Sequence, residues 1–224
     1  MSLEIQLVLL MWGTLVGLDL VSVPQMMIAR PIVAGPVAGA VLGDVATGLQ
    51  LGVLFELFQF DILPMGATRY PEYGPATVVA VSVAHAAGGG RLGLGAVVGL
   101  ITAMVGGLTL HAVRQLNARA VHRGSPALEA GDARVLERLH AMGITRDAVR
   151  AALVTAAGLA LAHVARVYLG GALSPRGVTL LNVAAVGAGI AAGTSGTMRL
   201  LGRGSSLRWF AAGVVAGVAV AWLR

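Results

Sequence analysis

The chain has 224 residues, 57% of them hydrophobic and only 12% charged, and its mean hydropathy is +0.83. That balance excludes a soluble globular domain, in which roughly a quarter of residues are charged, and predicts a single all-α membrane domain over residues 1–224. The net charge of +6 rests on sixteen arginines with no lysine and no aromatic-interleaved basic patch, so it reads as membrane topology and not as nucleic-acid binding, while the absence of cysteine removes disulfides and Cys-ligated metals.

A membrane crossing needs about 20 apolar residues. The first apolar segment, Leu3–Val23, lacks a basic leader and a small-residue cleavage site, so it is expected to be a retained span. The second, Ile32–Leu63, is too long for one simple crossing and is interrupted at Pro36, at Gly43-Asp44 and at Gly48, which predicts a broken helix or a re-entrant hairpin buried in protein. Gly35, Gly39 and Gly43, then Gly48, Gly52 and Glu56, recur about every fourth residue, so each half carries a flat strip for close helix packing. Leu63–Pro75 holds Pro64, Gly66, Pro71 and Gly74 and reads as irregular backbone that a ligand could approach. Further apolar elements follow at Ala76–Ala87 and Leu92–Val113, and weaker glycine strips recur, as at Gly95–Gly99.

Arg114–Arg150 is the one long polar stretch, with seven arginines beside Glu129, Asp132, Glu137 and Asp147. The positive-inside rule places it in the cytoplasm as a basic loop, 114–150, in which Val135, Leu136, Leu139 and Met142 predict a short surface helix over 133–142. The remaining apolar elements are Val149–Leu169, Val178–Leu200 and Trp209–Leu223, and the arginines of Arg199–Arg208 are expected on the same side as the long loop.

Four carboxylates, Asp44, Glu56, Asp61 and Glu72, lie in the apolar stretch between Arg30 and Ala80. Ionisable groups at membrane depth are costly unless they face a bundle interior or a wet cavity, so they mark a functional site. The motifs GxSxG, HExxH and the P-loop are absent, and His85, His111, His122, His140 and His163 lack metal-ligand spacing, so neither catalysis, a metal nor a cofactor is expected. The polar set of this region, which includes Gln59, Arg69, Tyr70 and Tyr73, suits a neutral polyhydroxylated solute, although carboxylates alone also suit a cation or a proton relay. A purely structural reading of the same residues has Asp44 capping a half-helix and Arg69 pairing with Glu72.

In the ordered set Arg30-Pro31, Gly39, Gly43-Asp44, Gly48, Glu56, Gly66-Ala67 and Pro71-Glu72, the chain resembles the membrane subunit IIC of the mannose/fructose/sorbose family of bacterial phosphotransferase systems. A looser likeness covers Ser174 to Gly193. The resemblance implies a multi-pass sugar permease subunit of the bacterial inner membrane, itself neither phosphorylated nor an enzyme, that binds and translocates a hexose. It implies a IID membrane partner, cytoplasmic IIA and IIB phosphocarriers that pass phosphate onto the sugar, and an oligomeric assembly in the lipid bilayer. Pro31, Gly39, Gly43, Asp44 and Gly48 would form its structural motif, and Glu56, Glu72, Asp61, Gln59, Gly66 and Arg69 its sugar-binding positions. Pro64 stands where the family commonly has Asn, Arg69 and Tyr70 are unusual before the Pro-acidic pair, and a chain ending at Arg224 is expected to be one apolar segment short of typical members. These departures define the alternative, a regulatory or scaffolding membrane protein derived from a IIC subunit without transport activity.

Overall fold

The computed structural model describes every residue except 61, 63–67, 87–89, 202–207, 210, 214 and 216–224. The described residues form seven α-helices and no strand: α1 (Leu3–Asp19), α2 (Pro31–Leu42), α3 (Val45–Gln59), α4 (Tyr73–Ala86), α5 (Leu92–Glu129), α6 (Ala133–Val164) and α7 (Pro175–Leu201), with a π-helical turn, Ala165–Leu169, extending α6.

The second apolar segment is an antiparallel helical hairpin. Pro31 opens α2 at a position where its missing N–H costs nothing, and Gly43 closes it at φ 76°, a left-handed conformation that suits a residue without a Cβ. Asp44 then caps α3, accepting the Thr47 N–H at 3.1 Å, and its other carboxylate oxygen lies 3.5 Å from His85 Nδ1. Between Pro31 and Gln59 the helix breaks at Gly43-Asp44 alone. Pro36 and Gly48, read from the sequence as further interruptions, lie inside continuous helices. Gly48 is there for contact: a Cβ on it would lie 2.9 Å from the Gly39 Cα, and one on Gly52 would lie 2.7 Å from the Pro31 carbonyl oxygen. The two glycine strips therefore meet backbone to backbone. At 1.5 Å per residue the 12 residues of α2 and the 15 of α3 reach about 18 and 22 Å, short of a hydrocarbon core of about 30 Å, as a re-entrant hairpin should be.

Helix α4 is apolar on all sides and sits at the centre, as such a helix must. Ala76, Thr77, Val78, Val79, Ala80, Val81, Ser82, Val83 and Ala84 are all buried, enclosed by α1, α2, α3, α5 and α6. The Gly95–Gly99 strip of α5 lets its backbone approach α4, since a Cβ on Gly95 would lie 2.7 Å from the Ala80 oxygen and one on Gly99 3.0 Å from that of Ala76.

The polar stretch 114–150 is not a loop. Helix α5 runs on to Glu129, the chain reverses through Gly131 at φ 82°, and α6 starts at Ala133 under the cap of Asp132, which accepts the Arg134 N–H at 3.0 Å. The short helix expected over 133–142 is the first part of this much longer one. Arginine is a good helix former, so the charge marks where the chain leaves lipid and not where the helix stops. Helices α5, α6 with its π turn, and α7 are long and apolar enough to cross a membrane, and α7 presents Leu180, Val183 and Ile190 outward. The expected element Trp209–Leu223 falls largely outside the described residues.

Candidate functional site

Glu72 lies immediately before α4 and is anchored through its backbone, whose N–H donates to the Ala103 carbonyl of α5 at 2.9 Å. Its buried carboxylate receives the Arg150 guanidinium of α6 fork to fork, with Nη1 to Oε2 at 2.5 Å and Nη2 to Oε1 at 2.9 Å. Arg150 Nε donates to Asp147 at 2.8 Å, and Nη2 also reaches the Gly17 carbonyl of α1 at 3.2 Å. The second oxygen of Asp147 accepts the Ser22 hydroxyl at 2.5 Å. Glycines make room for this node: a Cβ on Gly106 would stand 2.6 Å from Glu72 Oε2. Arg69, the sequence-derived partner for Glu72, is exposed, and both Glu72 oxygens are held by Arg150 instead.

Glu56, near the end of α3, pairs with Arg30 and accepts the Ile32 N–H at 3.2 Å. A carboxylate at the first turn of α2 complements the helix dipole there, so Glu56 closes the open end of the hairpin. One turn on, Gln59 and Arg30 line a cavity of about 410 Å³ together with Asp19, Gln25, Met27 and Phe60. This is within the range of small-molecule sites, which run from about 300 to 1,000 Å³. Asp19 shapes its wall by accepting the N–H groups of Met26 at 2.6 Å and Ala29 at 2.9 Å, which folds the segment after α1 over the opening. A smaller inner pocket shares Leu20, Ala29, Gln59 and Ile62 with this cavity and extends to Tyr70, Glu72 and Tyr73. Gln59 thus stands between the open cavity and the Glu72 node, offering an amide donor and an acceptor.

Of the six sequence-derived ligand positions, Gln59 and Glu72 line these spaces, Glu56 lines neither and touches the outer one only through its pair with Arg30, and Arg69 is exposed. Asp61 and Gly66 lie outside the described residues. Sequence reasoning missed Asp19, Arg150 and Asp147. Each carried a signal: Asp19 is an ionisable residue inside the first apolar segment, and Asp147 and Arg150, three residues apart, lead directly into the apolar run of α6.

Taken together, the helical hairpin, the enclosed central helix and the three helices long and apolar enough to cross a membrane define a polytopic helical membrane protein with a polar cavity beside its centre. The family model described as "PTS system sorbose-specific iic component" matches residues 3–221, and the chain belongs to that family. It is 29% identical over 126 residues to the fructose permease IIC component of Bacillus subtilis (strain 168), covering 56% of this chain and 46% of that one. It is 26% identical over 124 residues to the sorbose-specific EIIC component of Klebsiella pneumoniae, covering 55% of this chain and 46% of the relative. The matched stretch is thus about half the length of these curated relatives. In fold it is similar to a solved chain described as "Structure of membrane protein" (TM-score 0.78, 20% identity, covering 97% of this chain and 87% of that one). It is also similar to a chain in the cryo-EM structure of the mannose transporter ManYZ and Microcin E492 complex (TM-score 0.63, 19% identity, with the same coverage of 97% and 87%).

Proposed function

We propose that this chain is the sugar-permease subunit, IIC, of a mannose/fructose/sorbose-type phosphotransferase system, binding a hexose and moving it inward for phosphorylation by a partner IIB subunit. The observation that carries this reading is the cavity of about 410 Å³ at Gln59, set against the hairpin that holds the ordered motif Pro31, Gly39, Gly43-Asp44, Gly48 and Glu56. A hexose is neutral and covered with hydroxyls, and the cavity offers an amide, a guanidinium and a carboxylate among apolar walls. Gln59 is the direct ligand in this reading. Glu56 acts by holding Arg30 at the wall, Glu72 by anchoring the segment before α4, and Asp61, Gly66 and Arg69 contribute from the chain between. The relatives' names, which specify fructose, sorbose and mannose, support a hexose, ketose or aldose, as substrate.

The chain transports and does not transfer phosphate, which comes from cytoplasmic IIA and IIB subunits. It works as one membrane domain with a IID subunit in an oligomer of the bacterial inner membrane. The arginine-rich ends of α5 and α6 face the cytoplasm, following the positive-inside rule. Co-expression with IID, IIA and IIB in a bacterial strain lacking its own mannose-type permeases tests this. Accumulation of phosphorylated fructose, sorbose or mannose is the expected result, and an inserted chain that supports uptake of none of them overturns the reading.

A further inference from the structure

A second cavity, of about 390 Å³, opens where α5 and α6 leave the apolar core, and it shares no lining residue with the cavity at Gln59. Its polar lining is Arg114 and Asn117 from α5, His140, Arg146 and Asp147 from α6, and Ser22 from the segment after α1. Asp147 brings negative charge, but one of its oxygens is taken by Arg150 and the other by Ser22. Arg146 is half-buried and donates to Asn117 Oδ1 at 3.0 Å, and among the described residues no carboxylate pairs with it. Arg114 bonds the Tyr70 hydroxyl and, at 3.4 Å, the Thr68 carbonyl. The surrounding stretch 114–150 holds seven arginines against four acids, so the local field is positive.

We propose that this cavity binds a phosphate-bearing anion, with Arg146 and the Asn117 amide nitrogen as donors and the charge of Arg114 on the facing helix attracting it. Arg114, whose terminal nitrogens already serve Tyr70 and Thr68, adds positive charge beside the Arg146 and Asn117 donors, and a phosphate, with more negative charge and more acceptor oxygens than a carboxylate, gains more from that field. Leu110, Val113, Leu139 and Ile144 complete the walls, so the ligand carries a less polar body behind its phosphate. A soluble sugar phosphate and the headgroup of an anionic phospholipid share this chemistry. Because Arg114 also holds Thr68 and Tyr70, occupancy here reaches the chain segment between Gln59 and Glu72. The inference stands independently of hexose transport, needing only the cavity and its charges.

The full chain, purified in detergent, is titrated with inorganic phosphate, with glucose 6-phosphate and with acetate. In parallel, co-purified phosphatidylglycerol is counted by native mass spectrometry. The expected result is saturable binding of phosphate or glucose 6-phosphate, or Arg146-dependent retention of phosphatidylglycerol, the first identifying a soluble ligand and the second a lipid. Arg146→Gln should weaken that binding about tenfold or more, as loss of a charged hydrogen-bond donor does, with Arg146→Lys intermediate and Arg138→Gln, an exposed arginine outside the cavity, unchanged. The proposal is overturned if neither ligand binds, if acetate binds as tightly as phosphate, or if Arg138→Gln loses as much as Arg146→Gln. Failure of hexose to bind while phosphate still does counts against the sugar site alone.

Discussion

The α2–α3 hairpin, exposed on the face of Val37, Val45 and Leu49, and the buried Glu72–Arg150–Asp147 node both lie beside the central helix, yet they are held by opposite means. In the hairpin, contact comes from what is missing: Gly35, Gly39, Gly48 and Gly52 let two backbones touch, and the partners are close in sequence. At the node, charge does the holding: one guanidinium is shared by two carboxylates and a backbone carbonyl, and Glu72 and Arg150 lie 78 residues apart. The hairpin is complete in itself and fails by overfilling. The node ties the segment before α4 to α1 and α6, and fails when one charge loses its counterpart, since a charge left alone in a low-dielectric interior carries most of its desolvation cost.

This contrast orders the expected effects of mutation. Arg150→Ala leaves Glu72 and Asp147 buried without a cation and should cost the most, about 3–5 kcal/mol, measured as the unfolding midpoint in detergent; adding Glu72→Gln to it should recover part of the loss. Gly48→Ala drives a Cβ to 2.9 Å from the Gly39 Cα, where backbone cannot yield easily, and should cost about 1–3 kcal/mol. The matched control is Gly187→Ala in α7, which meets nothing within 4 Å and should be neutral or slightly stabilising. If Gly48→Ala costs no more than that control, close backbone contact does not hold the hairpin. Asp44→Ala removes the cap of α3 and should lose about 1 kcal/mol. Arg30→Ala is the mildest: its pair with Glu56 is half open to solvent and is worth under about 1 kcal/mol, so thermal stability should hardly change.

The hairpin was legible in the sequence because its cause is local. A four-residue spacing of glycines puts them on one helix face, and Gly followed by Asp, then Val-Ala-Thr, is both the stop of one helix and the start of the next. The node was not legible. Spacing carries no information about a partner 78 residues away, and a run of arginines looks the same in sequence whether it sits in a loop or, as here, continues α5 and α6 beyond the apolar core. For the candidate site, apolar context marks Glu56, Gln59 and Glu72 in the sequence, but which of their atoms stay available depends on Arg30 and Arg150, partners that spacing does not show. Asp19 escaped notice because it stands apart from the other carboxylates, although it folds the wall of the Gln59 cavity.

Whether a hexose binds at Gln59 is tested most directly by equilibrium binding of labelled fructose, sorbose and mannose to the purified chain with its IID partner. Saturable binding of at least one sugar is predicted, about tenfold weaker in Gln59→Ala, the worth of one to two hydrogen bonds, and unchanged in Gly187→Ala. Equal affinity in the unmodified chain and in Gln59→Ala would contradict the assignment of that cavity as the sugar site.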